Sequence, residues 1–172
     1  MSTLFPPDLI DAAKSLLADL QRHALLITTA ESCTGGLLSG LLTEIPGSSG
    51  MVERGFVTYS NAAKTEMLGV APDLIARYGA VSPEVARAMA EGALGATPAH
   101  IAVSVTGIAG PDGGSPEKPI GLVYLGVAVK GEATRTHECR FGDIGRCEIR
   151  LESVRAALRL VQDVVKPGLR HD

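Results

Sequence analysis

At 172 residues, with 45% apolar and 20% charged residues, the chain has the length and composition of one compact globular domain and not of a disordered one. Its 16 Lys and Arg stand against 19 Asp and Glu for a net charge of -3, with no dense basic run, so the electrostatic footprint of a nucleic-acid binder is missing. Aromatics make up only 3% and Trp is absent, which removes a base-stacking platform and predicts an aliphatic core.

The first element is a helix over Pro7 to Arg22, with apolar Leu9, Ile10, Ala13, Leu16, Leu17 and Leu20 at helical spacing and a cap at Asp8 or just before it. Ala24-Leu25-Leu26-Ile27 reads as a buried strand. It runs into the hydroxyl- and glycine-rich elbow Thr28-Thr29-Ala30-Glu31-Ser32-Cys33-Thr34-Gly35-Gly36, and Leu37, Leu38, Leu41 and Leu42 then recur as a helix face. This spacing places Ser32 near a first helical turn, where free N–H groups and the dipole stabilise an oxyanion or bind a phosphate. An N-cap role for Ser32 or Thr34 fits the same position. After the turn cluster Ile45 to Gly50, Phe56-Val57-Thr58-Tyr59 is β-prone, and Ser60-Asn61 caps a helix through Ala62, Lys64, Met67 and Leu68 that Gly69 stops.

A short helix over Pro72 to Tyr78 closes at Gly79, and Ser82-Pro83-Glu84 starts another that runs to about Gly95. Ile101 to Val105 reads as a buried strand, followed by a long loop from Gly107 to Pro119 of the kind that carries function. Leu122 to Val129 and Ala133 to Phe141 form a hairpin around Lys130-Gly131-Glu132. A last helix spans Ile149 to Val164 and ends at Pro167-Gly168. The element order predicts a three-layer α/β/α sandwich on a mixed, mostly parallel sheet, one domain over 1–172 with no internal repeat. The elbow, the segment after Tyr59 and the loop after Thr106 all follow strands in the same sense and converge on one rim.

The N-terminus carries no secretory pattern and no apolar stretch is long enough to span a bilayer, so a cytoplasmic protein without membrane contact is expected. Cys33, Cys139 and Cys147 lack Cys-x-x-Cys spacing and read as reduced thiols. His23, His100, His137 and His171 are scattered singly, so no metal site is predicted. A serine nucleophile needs a base, and the candidates are Lys64, with Tyr59 five residues before it, and the four histidines. A solvated helix lysine is the other reading of Lys64. Cys33 is a rival nucleophile or a small buried hydrophobe. The Gly107–Gly114 loop matches neither a triphosphate nor a dinucleotide pattern but permits close backbone approach to a ligand, and Asp112 reads as a turn residue.

Four stretches together resemble the C-terminal domain of the competence/damage-inducible CinA family: Thr29–Gly36, Glu53–Asn61, Gly79–Ser82 and Gly107–Gly114. The resemblance implies a five-stranded mixed sheet and hydrolysis of the carboxamide of nicotinamide mononucleotide to nicotinate mononucleotide and ammonia. It further implies a homodimer and no organic cofactor. Motif by motif it makes Ser32 the nucleophile, Lys64 its base and Tyr59 a proton partner. Thr34, Gly35, Thr106, Gly107 and Gly110 then line the substrate, and Arg150 holds its phosphate, with Arg146 the alternative because the Gly142-Asp143 motif is spaced differently here. A nucleotide-binding module without catalysis and an amidase of another small amide are the competing readings.

Overall fold

A computed structural model describes residues 4–166. Five strands, β1 (Ile27–Glu31), β2 (Val52–Val57), β3 (Ile101–Gly107), β4 (Leu122–Val129) and β5 (Arg135–Arg140), form one sheet in the order β2-β1-β3-β4-β5. β1 pairs parallel with β2 and β3, while β4 pairs antiparallel with β3 and β5, so β4 alone runs against the other four strands. Helices α1 (Pro7–Arg22), α2 (Leu37–Glu44) and α6 (Arg146–Val165) cover one face; α3 (Asn61–Leu68), α4 (Pro72–Tyr78) and α5 (Pro83–Gly95) cover the other. The expected three-layer α/β/α sandwich on a mixed sheet is what the chain forms.

Side-chain alternation along the strands decides what each face can accept. Ile101, Val103 and Val105 of β3 and Val123, Leu125 and Val127 of β4 meet α1, α2 and α6 in a large aliphatic core. On the opposite face the three central strands contribute small residues, Ala30, Ala102 and Ala128, beside Phe56 of β2. A Cβ on Gly126 would meet the Ala86 carbonyl oxygen at 2.5 Å, and the Ser104 hydroxyl donates to that same oxygen at 2.6 Å. α5, itself lined with buried Ala86, Ala90 and Ala93, therefore lies close against the sheet.

Several expected boundaries move. Of the expected Ala24–Ile27 strand, Ala24, Leu25 and Leu26 are not strand. Ala24 sits at φ +53°, Leu25 N–H closes on Leu20 O, and Leu26 N–H donates to His100 Nδ1, so these residues terminate α1. The β-branched Ile27, Thr28 and Thr29 begin β1 instead, so the strand starts three residues later and runs into the elbow to Glu31. β2 ends at Val57 rather than Tyr59, and β5 is shorter than the Ala133–Phe141 segment. α6 begins at Arg146, one turn before Ile149, which places Arg146 and Arg150 on the same helix; the expected stop at Pro167-Gly168 lies outside the described residues. α1 starts behind Pro6 with no side-chain cap, and Asp8 pairs with Arg155 of α6 instead.

By contrast, Ser60 and Ser82 cap α3 and α5 by accepting from Ala63 N–H and Val85 N–H, as their sequence position predicts. Gly69 ends α3 at φ +68°.

Candidate active site

β1, β2 and β3 end on the same edge of the sheet, and the segments that leave them enclose a cleft of about 200 Å3. Its walls include Ser32 and Cys33 after β1, Tyr59, Asn61 and Lys64 after β2, Thr106, Gly107 and Ala109 after β3, and Arg146 of α6.

The elbow differs from the expected helix start. Ser32 follows Glu31, the last residue of β1, and lies five residues before Leu37, where α2 begins. Its own N–H is spent on Val105 O of β3 at 2.9 Å. The α2 N-terminus is occupied from within. Glu31, completely buried, accepts from Leu38 N–H at 2.8 Å, Ser39 N–H at 3.0 Å and the Ser39 hydroxyl at 2.8 Å. The reason Ser32 is no cap is thus the glutamate beside it, whose longer side chain reaches the free N–H groups that a serine would have taken.

Lys64 is only 1% exposed. Its Nζ lies 3.0 Å from Ser32 Oγ, 2.8 Å from Thr58 O and 3.3 Å from Tyr59 O. Ser60 makes this possible: its cap starts α3 immediately after the β2 exit, so the first helical turn carries Lys64 back over the strand ends. Burial holds the Lys64 amine below its ordinary value of 10.5, against a smaller opposing effect of Cys33. The two carbonyls and the Ser32 hydroxyl oxygen match the three N–H bonds of an ammonium; in the neutral amine the carbonyls keep the two N–H bonds and the third tetrahedral direction, towards Ser32, carries the lone pair.

Cys33 is buried in the aliphatic core, where desolvation, reinforced by the charge of Glu31, pushes its thiol up to about 12. It stays protonated at neutral pH, which removes the thiolate that a cysteine nucleophile requires. Of the histidines, none among the described residues lines the cleft, and His100 is used structurally as the acceptor for Leu26 N–H.

The remaining candidates divide between the cleft and its supports. Tyr59 is 63% exposed; its phenol accepts from Arg146 Nη2 at 3.3 Å, and it is its carbonyl, not its hydroxyl, that meets Lys64. Arg146 also donates to Gly110 O at 2.7 Å, tying the glycine loop to the cleft mouth. Arg150 is turned elsewhere: Nε donates to Cys33 O at 3.1 Å and Nη2 to Thr34 O at 3.0 Å. Its side chain supports the elbow, while Arg146 lines the cleft. Thr106 directs its hydroxyl to Ala80 O at 2.8 Å. A Cβ on Gly107 would crowd Val123 and the Leu122 carbonyl, so this residue keeps β3 and β4 close beneath the cleft. Gly35 is at φ +58°, a left-handed turn. Glu31 and Lys118 were not singled out by sequence reasoning. Lys118 Nζ donates to Tyr78 O at 2.6 Å and Val81 O at 2.8 Å, fastening the end of the glycine loop to the cleft wall. Among the described residues no group of three or more His, Cys, Asp or Glu is placed to hold a metal ion.

The chain is thus a three-layer α/β protein whose parallel strand ends carry a buried serine–lysine pair in a cleft, the edge at which open α/β sheets hold their ligands. Residues 10–165 match the model of the CinA C-terminal domain, and the chain belongs to that family. It is 46% identical over 153 residues to the nicotinamide-nucleotide amidohydrolase PncC of Escherichia coli K12, covering 88% of this chain and 92% of the relative. A CinA-like protein of Akkermansia muciniphila is 54% identical over 123 residues, 72% of this chain but 30% of that protein. The chain thus spans about a third of the length of the CinA-like relatives and most of the length of PncC. The crystal structure of the competence/damage-inducible protein CihA from Agrobacterium tumefaciens superposes with a TM-score of 0.93 at 51% identity, covering 96% of this chain and 99% of that one.

Proposed function

We propose that the protein hydrolyses the carboxamide of nicotinamide mononucleotide to nicotinate mononucleotide and ammonia, with Ser32 as nucleophile and Lys64 as base. The observation that carries this reading is the buried Lys64 Nζ, 3.0 Å from Ser32 Oγ and otherwise bonded to two carbonyls. In that setting the neutral amine takes the Ser32 proton as Oγ attacks the carboxamide carbon. The tetrahedral oxyanion is held by the Cys33 N–H group, which lies just past the nucleophile on a residue of the cleft wall and, among the described residues, donates to no backbone acceptor. Collapse breaks the C–N bond, and the proton on Lys64 passes to the departing ammonia. Water, deprotonated by the same amine, then resolves the acyl-enzyme and restores Ser32.

Arg146 at the open mouth is the phosphate ligand in this reading, because its guanidinium is half committed to Gly110 O and Tyr59 and stands where a nucleotide leaves the cleft. Tyr59 orients Arg146 through its phenol and Lys64 through its carbonyl. The name of the PncC relatives supports the substrate.

Ammonia release from nicotinamide mononucleotide tests the proposal. Ser32→Ala and Lys64→Ala are expected to lose at least about 1,000-fold in kcat, as hydrolases do when a nucleophile or its base is removed. Cys33→Ala retains most of the activity. Full activity in Ser32→Ala, or loss confined to Cys33→Ala, overturns the assignment. Wild-type protein that binds the nucleotide without turnover makes it a binding module, and turnover of other small amides alone shifts the substrate.

A further inference from the structure

The last rung between β1 and β3 is missing, and the donor it leaves behind belongs to the cleft wall. In an antiparallel pair, the residues that bond across to the partner strand alternate. His100 O accepts from Lys130 N–H at 2.9 Å and Ile108 N–H donates to Leu122 O at 2.9 Å, so the even-numbered residues between them bond to β4. The odd-numbered ones face β1: Ile101 N–H donates to Leu26 O at 3.1 Å, and Val105 O accepts from Ser32 N–H at 2.9 Å. The next step of that parallel ladder would join Gly107 N–H to Ser32 O. The elbow prevents it, because Ser32 O turns to accept from Gly35 N–H at 3.0 Å. Gly107 N–H therefore points off the end of β3 towards Ser32 and, among the described residues, donates to no backbone acceptor. Ser32 and Gly107 line the same cleft, and Gly107 is half-buried there.

We propose that the Gly107 N–H is a catalytic donor that, together with Cys33 N–H, holds the oxyanion formed when Ser32 attacks. This rests on the Ser32 reading above. The donor is fixed before any substrate arrives: Thr106 and Ile108 on either side of it bond to β4, Ile108 O accepts from Gly121 N–H at 2.8 Å, and the Thr106 hydroxyl holds Ala80 O at 2.8 Å. The missing side chain matters as well. A Cβ on Gly107 would stand 2.6 Å from Val123 Cγ2 and 2.9 Å from Leu122 O, so any other residue would push the strand end, and its N–H, out of line. Serine-elbow hydrolases hold their oxyanion in the same way, with one N–H just past the nucleophile and a second from the end of another strand.

An ester in place of the peptide bond before Gly107 deletes this N–H and adds no Cβ. Gly107→glycolate is made in the full chain by cell-free translation with an acylated suppressor tRNA and compared with wild type in steady-state kinetics on nicotinamide mononucleotide. The rate at which a fluorophosphonate labels Ser32 is followed by mass spectrometry. In labelling, Ser32 Oγ displaces fluoride at phosphorus, and the oxygen of the charged centre calls on the same donors without any nucleotide. For the ester variant, kcat and the labelling rate are expected to fall about 100-fold, the cost of one oxyanion donor, while KM changes by no more than about threefold. A second measurement alters no residue. In isotope-labelled wild type the Gly107 amide proton is expected to move downfield in the NMR spectrum, together with that of Cys33, once Ser32 carries the phosphonyl group; this carries the test if the ester variant does not fold. Unchanged kcat and labelling in a folded ester variant, a loss confined to KM, or a Gly107 amide that stays in place while that of Cys33 moves would overturn the proposal. If wild type labels at Ser32 but releases no ammonia from the mononucleotide, the substrate reading fails alone, and the labelling ratio and amide shift still decide the role of Gly107. If wild type neither labels nor turns over, the Ser32 reading fails and takes this inference with it.

Discussion

Lys64 shows how one side chain changes chemistry through its surroundings. On sequence it is a lysine in an early helical turn, equally suited to solvent; in the fold it is enclosed by Ser32 and two carbonyls, with its proton affinity lowered by burial. With the neutral amine of Lys64 as the proposed base, kcat/KM is expected to rise with pH as Lys64 passes through its lowered pKa and to level off above it. Stability follows the same group. In the unfolded chain Lys64 keeps its ordinary value near 10.5. Between the lowered native value and that one the unfolded state binds more protons, so stability rises with pH across this window and is flat below it. Lys64→Met removes the increment, and the difference between variant and wild-type denaturation curves at several pH values measures it; equal slopes for both proteins count against a buried neutral amine. Cys33 is the converse case. It was an open rival to Ser32 on spacing alone, and burial, with a thiol pushed up to about 12, sets it aside.

Helix and strand elements were legible wherever local chemistry punctuates the chain. Ser60, Ser82, Pro83, Gly69 and Gly79 mark the ends of α3, α4 and α5 because caps and left-handed stops act within a few residues. β1 was misplaced because an apolar run is an ambiguous signal: Ala24–Leu26 closes the turn after α1, with Leu25 buried and Ala24 exposed, whereas polar Thr28, Thr29 and Glu31 form a central strand and satisfy their side chains on neighbouring elements. Glu31 joins that strand to α2. Glu31→Ala strands buried donors at Leu38 and Ser39 and is expected to cost about 2–3 kcal/mol in urea denaturation, with Glu31→Gln recovering part of it. Gly92 makes the same point between helices. Alanine is favoured over glycine in a helix by about 1 kcal/mol, yet a Cβ at Gly92 of α5 would run into the Leu68 carbonyl oxygen at the end of α3. Gly92→Ala is therefore expected to lower stability on balance, by about 1–3 kcal/mol, and a stabilised variant would show that α3 yields more readily than its packing implies.

For the whole molecule, the sheet couples two unlike cores, a broad aliphatic one under α1, α2 and α6 and a tight small-residue one under α5. Leu16→Ala in the first and Met89→Ala in the second, both fully buried, are each expected to cost about 2–5 kcal/mol. Because β3 and β4 present side chains to both cores, each variant should unfold in one cooperative transition with an unchanged denaturant slope; two separable transitions would show that the layers fold independently. The sequence by itself determined the layer architecture, most helix ends, the absence of a dense basic run and the three segments that converge on the rim. These follow from periodicity, caps and element order, all of which act over short separations along the chain. Only the tertiary structure decided that Glu31 caps α2 in place of Ser32, that Lys64 meets Ser32, and that Arg150 holds the elbow while Arg146 lines the cleft. The Lys64 and Arg150 contacts join residues 32 and 117 positions apart, and even the Glu31 cap, seven residues from Leu38, depends on how the elbow turns after β1; a side chain's partner and proton affinity are set by what the fold brings around it.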